Sequence, residues 1–437
     1  MIKIQKYSEV SPDFFSGRNF TGTIESVQTV LNDVKSRGNA ALKEYSEKFD
    51  KIPLENFEVS QETLKKAADK MKAENKALFD AISYSYELCF RFAKKQKECF
   101  TDFEVELEPG LFTGQKNIAV EKAGVYVPAG RFPLVSTVVM TVTPAKAAGA
   151  REIVLCTPPR VNPDGSSAPY ADENIMAAAY ICGATKVFAL GGAQAIAAMA
   201  FGTETVPKVD VIVGPGNKFV AEAKRLVYGT VGIDMVAGPT EVFIIADESA
   251  NPAWVAADLL AQAEHDVVAQ PILATTSKKL ADEVAAEIEK QLATLSTFET
   301  ASKSIENCGL IILCDSLDEA AEAANRKAPE HLELAMNSGA ERDRIAALCH
   351  NYGSLFLGHG SAEVFGDYAA GLNHTLPTSS SARFTGGLSV RVFLKTVTTL
   401  RTVSGSSGVL KSAQTAAVLG DAEGLAAHAR AARIRLE

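Results

Sequence analysis

Apolar residues recur at helical spacing from Ser26 to Lys95 among many Lys and Glu, as in ETLKKAADKMKAENKALFDAISYSYELCFRF. That spacing predicts helices with one face packed on something larger. A short alternating stretch follows, FEVELEPGLFTG, and the pattern changes at AGVYVPAG. Between Gly124 and Gly238 the strand-like runs EIVLCT, KVFALGGA and VDVIVGPG alternate with the helical runs MAAAYICG, AIAAMAFG and FVAEAKRLVYG. Such alternation predicts an α/β unit, a parallel sheet wrapped by helices with its sites at the carboxyl ends of the strands. EVFIIAD, Glu241 to Asp247, opens a second series: helix WVAADLLAQAEHD, strand QPILATT, a helix from Ser277, strand GLIILCD and a helix from Ser316.

The two series predict two α/β domains, one inserted in the other. The expected division is an N-terminal arm (1–25), a discontinuous domain (26–123 and 240–388), an inserted domain (124–239) and a C-terminal hinge with a helical arm (389–437). The hinge is read from TVSGSSG, Thr402 to Gly408. The helix beyond it, in EGLAAHARAARIRLE, has too thin an apolar stripe to bury alone, so it is expected to dock on another surface, for which a partner subunit is a candidate.

At 437 residues the chain exceeds what one core usually serves, in keeping with more than one domain. Hydrophobic residues make up 47% and charged residues 22%, enough apolar surface to bury sizeable cores. A net charge of −9 with no long Lys/Arg run argues against a nucleic-acid partner. No run of about 20 apolar residues suits a membrane span, and MIKIQKYSEVSPDFF has no secretory apolar core, so a cytoplasmic protein is expected. The seven cysteines are widely spaced without a C-x-x-C pair, which fits reduced thiols.

Three of the six histidines sit in dense polar clusters: Gln262-Ala-Glu-His265-Asp, Pro329-Glu330-His331, and Gly366-Asp367-Tyr368 followed by Asn373-His374. Gln262 and His265 are three apart on an expected helix, and Asp367 is expected in a Gly-rich loop where a carboxylate can turn inward. A mixed nitrogen and oxygen set of this kind suits zinc with open positions, though QAEHD alone also reads as a solvated helix face. Glu330 beside His331 is equipment for moving protons, or equally a helix-start carboxylate with a packed histidine. Gly214-Pro-Gly216-Asn217 follows a strand and precedes a helix but lacks the third glycine of a dinucleotide fingerprint. Gly191-Gly192-Ala-Gln194 occupies a similar turn. On spacing alone the chain is an α/β protein with a candidate metal site.

Over nearly its whole length the sequence resembles the histidinol dehydrogenases. The matching blocks are GVYVPAGRFPLVSTVVMTVTPAKAAGA, GGAQAIAAMAFGTETVPKVDVIVGPGNKFVAEAKRLV, IDMVAGPTEVFIIAD, LLAQAEHD, APEHLEL, GDYAAGLNHTLPT and EGLAAHARAARIR. The resemblance implies two incomplete Rossmann-like domains and one zinc ion per subunit, held by Gln262, His265, Asp367 and His428. It implies NAD contacts at Tyr126, Gln194 and Asn217, and proton handling by Glu330 and His331. Contact with L-histidinol is implied for Thr240, Gln262, His265, His331, Asp367, His374, Glu423 and His428. It further implies a homodimer whose C-terminal segments complete each other's sites, and a four-electron oxidation of L-histidinol through L-histidinaldehyde to L-histidine with two NAD. Departures are Thr240 where many relatives have serine, Leu372 before Asn373, and the Thr378 to Phe384 stretch.

Overall fold

The computed structural model describes residues 2–17, 24–129 and 133–436; Gly130, Arg131 and Phe132 of the first matching block and part of the expected N-terminal arm lie outside them. Two six-stranded sheets carry the fold. The first has the order β2 (Glu58–Val59), β7 (Lys186–Ala189), β6 (Glu152–Thr157), β5 (Lys122–Tyr126), β8 (Val211–Val213) and β9 (Gly232–Ile233), parallel except for β2. The second, wholly parallel, has the order β1 (Lys3–Lys6), β12 (Leu310–Leu313), β11 (Gln270–Thr275), β10 (Glu241–Ala246), β13 (His331–Ala335) and β14 (Ser354–Leu357). Every residue of β10, β11 and β13 is buried, as befits central strands covered on both faces. A third, antiparallel sheet joins β15 (Leu394–Thr402), β4 (Leu111–Ala119) and β3 (Phe103–Glu108).

The α/β class holds, but the division of the chain differs from the expected one. The helices before residue 98 share one core with the first sheet, not the second. Helix Lys76–Lys97 packs on Val135–Ala148, Gln61–Glu74 on Glu173–Cys182, and Ile24–Arg37 on Gly192–Phe201. The reason lies in helix Val135–Ala148, which is apolar nearly all round and needs cover on the side away from its sheet. The second sheet already has a core on each face, built from its own helices. What it takes from the N-terminus is β1, which pairs in register with β12 from Lys3 opposite Leu310 to Lys6 opposite Leu313.

The expected hinge is also an ordered connection. Val403 donates its N–H to the Gly110 carbonyl at 2.8 Å and Gly408 to that of Pro109 at 3.1 Å. Gly110 has a φ of +78°, and a Cβ there would run into Ser406, so the turn after β3 and the residues after β15 are built against each other. Helices Ser407–Ala422 and Ala426–Arg433 then pack on one another, leaving Val418, Leu419, Leu425 and Ile434 exposed. Among the described residues no helix is long and apolar enough to cross a membrane.

Candidate active site

A cleft of about 1160 Å³ separates the two large units. One wall consists of the turns beyond the carboxyl ends of β5 to β8, including Tyr126, Gln194 and Asn217; the other carries Glu264, His265, Thr297 and Tyr368. For the first sheet the rule of carboxyl ends therefore holds. In the second sheet it fails: Glu241 and His331 open β10 and β13, so the polar cluster sits at the strands' amino ends. His265 lies just past the end of helix Pro252–Ala263, and Asp367 lies in the short helix Glu363–Tyr368 rather than in a loop. Nor does Glu330 start a helix; it is the last residue before β13.

A chain of hydrogen bonds fixes the cluster. Gln262 donates from Nε2 to Thr240 Oγ1 at 2.6 Å, and Thr240 donates in turn to Glu330 Oε2. The Glu241 N–H donates to the same oxygen at 3.0 Å. Because its amide nitrogen is spent on Thr240, Gln262 turns Oε1 the other way, buried and without a partner. His331 lies 3.2 Å from the Glu241 carbonyl through Nδ1, which must carry the proton, so Nε2 holds the lone pair of the neutral ring. That Nε2 is 3.4 Å from Asp367 Oδ1 but outside hydrogen-bond geometry, and both atoms are buried without a partner, as is His374 Nε2.

Electrostatics follow from this packing. Burial pushes Glu330 up to about 7 against the pull of His331, Thr240 and the Glu241 N–H. Burial pulls the His331 pKa down, but Glu330, Asp367 and Glu363 outweigh it and hold the ring well above its ordinary range. Burial lowers the pKa of His265, which is open to the cleft but backed by protein mass, and that of His374; both are neutral and ready to offer a lone pair. Burial also opposes ionisation of Asp367, yet the histidines around it keep its carboxyl below the usual range.

The cluster includes groups the sequence analysis missed. Glu363 Oε2 is 3.7 Å from His331 Nδ1, and the Glu363 N–H donates to Glu333 Oε1 at 2.8 Å. Lys327 donates to Glu241 Oε1 at 2.9 Å in an ion pair sealed from solvent. A glutamate inside the apolar strand HLELA was the available signal. On the opposite wall Tyr126 accepts the Gly192 N–H at 3.1 Å, and Asn217 caps helix Lys218–Val227 through the Phe219 and Val220 N–H groups. Glu423 and His428 are exposed near and on the last helix and do not line the cleft. Among the described residues no group of three or more His, Cys, Asp or Glu side chains comes together as a metal centre.

The family model described as histidinol dehydrogenase matches residues 16–436. This chain belongs to the histidinol dehydrogenase family. The histidinol dehydrogenase of Methanosarcina mazei is 45% identical over 94% of this chain and 91% of its own length. That of Dechloromonas aromatica is 41% identical over the full length of both. A crystal structure of the Elizabethkingia anophelis histidinol dehydrogenase, 34% identical, superposes with a TM-score of 0.90 over 100% of this chain and 98% of that one. The α/β architecture is thus the family's own.

Proposed function

We propose that the chain is an NAD-linked, zinc-requiring cytoplasmic oxidoreductase that converts L-histidinol through L-histidinaldehyde to L-histidine, the last step of histidine biosynthesis. The observation that carries this reading is the convergence of partnerless buried atoms, Gln262 Oε1, Asp367 Oδ1, His331 Nε2 and His374 Nε2, on a cluster next to the cleft. The donor set fits zinc: an amide oxygen and a carboxylate with free lone pairs, and a neutral His265. Several carboxyls crowd the same spot, for which a divalent cation is a suitable counter-charge. Gln262, His265 and Asp367 would hold the metal, which supplies a Lewis-acidic anchor for the nitrogens of the substrate. NAD in the cleft, against Tyr126, Gln194 and Asn217, supplies the hydride acceptor.

A divalent cation on Asp367 would offset the carboxylate charge that holds His331 protonated; the neutral ring, with Nδ1 held by the Glu241 carbonyl in one tautomer, then takes the hydroxyl proton on Nε2 in the first oxidation. Glu330 serves the second. Its Oε2 is occupied by Thr240 and the Glu241 N–H, which leaves Oε1 to take a proton from the water that adds to the aldehyde. Thr240 fixes the position of Gln262 as well as that of Glu330, and its hydroxyl is common to serine, so the departure at this position keeps the network. His374, whose buried Nε2 has no partner and which acts electrostatically on Asp367, recognises the substrate. His428 and Glu423, exposed and outside the cleft lining, belong to the site of a partner subunit in a homodimer; the exposed apolar residues of the terminal helices are the surface that docks.

The direct test is purified protein with zinc, NAD and L-histidinol. Two NADH per histidine formed are expected; one NADH per turnover with aldehyde accumulating would reject the four-electron reaction.

A further inference from the structure

Glu241 is held through its N–H, its carbonyl and its side chain, and only the first two belong to the chemistry above. The N–H donates to Glu330 and the carbonyl faces His331 Nδ1, so the backbone of one residue orients both proton-handling groups. Alternation along β10 places the Glu241 side chain with Phe243 and Ile245, on the face covered by helix Leu317–Lys327. There its Oε1 accepts from Lys327 Nζ at 2.9 Å and from the Ser379 N–H at 3.3 Å. Oε2 is buried without a partner, so the hold on the carboxylate rests on Oε1. Neither Lys327 nor Ser379 lines the cleft.

Strained backbone surrounds this pair. Among the described residues four other than glycine have a left-handed backbone, and three of them are here: Ala328 (φ +50°), Ser379 (φ +54°) and Ser380 (φ +65°). Ala328 directly follows Lys327 and stands two residues before Glu330. Ser380 Oγ donates to the Lys327 carbonyl at 3.0 Å, and Arg383 donates to the Arg326 carbonyl at 2.6 Å. Such residues persist only where their surroundings over-determine them, and they cluster at functional sites. Here the Glu241 carboxylate ties the loop, the end of the helix and the first residue of β10 into one unit. A charge-assisted hydrogen bond has a preferred length and direction, which an apolar contact of the same volume lacks. It therefore limits how far the Glu241 peptide can shift beneath Glu330 and His331.

We propose that Lys327 is a positioning residue for both oxidations: by anchoring the Glu241 side chain on the far face of the sheet, it fixes the N–H that orients Glu330 and the carbonyl that orients His331. The inference rests on the reading of Glu330 and His331 as the proton-handling pair.

The test follows single-turnover NADH formation from L-histidinol in zinc-loaded wild type and in the double variant Lys327→Met, Glu241→Met. The double change strands no charge, and apolar replacement of a buried ion pair at similar volume is often neutral, so a folded protein with full zinc content is expected. Both NADH phases should slow by about 10- to 100-fold, the scale of a misplacement of about 1 Å, while KM for NAD and for histidinol stays within about twofold. The Glu241 N–H also pulls the Glu330 carboxyl down, so loosening that bond should move the pH limb of the second phase upward. A merely structural role for the pair would move neither kcat nor the limb. Wild-type rates in a folded, zinc-replete double variant would overturn the proposal, as would slowing confined to one phase or a limb that stays in place. Glu241→Asp covers a double variant that does not fold: both charges remain on a side chain one methylene shorter, slowing of both phases is expected, and wild-type rates overturn the role. Wild type that forms no NADH from histidinol would reject the reading of the site itself, whereas two wild-type phases left unchanged by the variants reject only the role of Lys327.

Discussion

Glu330 and His331 are neighbours in sequence, yet their environments separate their tasks. Glu330, with one oxygen fixed and the other open, is the base proposed for hydration of the aldehyde. Glu330→Gln should therefore leave the first NADH phase of a single turnover nearly intact and slow the second by about 10²- to 10⁴-fold. Equal slowing of both phases would reject this division. With its pKa raised to about 7, the carboxyl gains its basic form as pH rises. Between pH 8 and pH 6 the second phase should fall roughly tenfold, a limb that Glu330→Gln abolishes. His265→Ala should release zinc by metal analysis while the folded protein keeps its size on a sizing column, because the site is assembled on a scaffold that does not depend on it. Full zinc content in that variant would remove His265 from the ligand set. At this scale the sequence was informative wherever polar residues cluster: Gln262, His265, Glu330 and Asp367 were all legible. Glu363, Glu333 and the Lys327–Glu241 pair were not, since a charged residue within an apolar run gives no sign of which distant group it will face.

Elements were legible as elements and less so in their use. Helices beginning after Ser277 and Ser316 start where expected, each capped by the serine hydroxyl. The Gly/Ser run at Thr402 to Gly408 looked flexible because composition does not reveal the carbonyls of Pro109 and Gly110 that fix it. The Gly214 to Asn217 turn is held in a comparable way. Lys224 is fully buried, donates to the Gly214 carbonyl at 2.8 Å and pairs with Asp234, whose other oxygen accepts the Gly214 N–H at 2.8 Å. Lys224→Met would strand the Asp234 carboxylate and should cost about 3–5 kcal/mol in denaturant unfolding. Lys224→Leu combined with Asp234→Leu should recover part of that loss, and a double variant as unstable as the single one would show that the pair is not the cause.

At the scale of the molecule, the pattern of strands and helices disclosed two α/β layers but assigned the N-terminal helices to the wrong one. Periodicity marks an apolar face without saying which sheet will cover it, and here the deciding fact was the all-round apolar helix Val135–Ala148. Assembly is the matching question between chains. If His428 serves the partner's site, mixing inactive His428→Ala and His265→Ala dimers should restore about a quarter of wild-type activity, because half the dimers are mixed and each has one intact site. With subunit exchange demonstrated independently, no recovery would place His428 in its own chain's site or outside the chemistry.

The pairing of β1 with β12 also orders events in time. On the ribosome the strand Lys3–Lys6 is made well before its partner Leu310–Leu313, which is about 300 residues away, roughly 15–60 s of synthesis later. The first sheet, whose strands all lie between Glu58 and Ile233, is complete long before then. The nascent chain thus builds the cleft wall of Tyr126, Gln194 and Asn217 while Lys3–Lys6 waits, and the wall of His265 and Tyr368 closes later, with β1 set in place beside strands made some 300 residues after it.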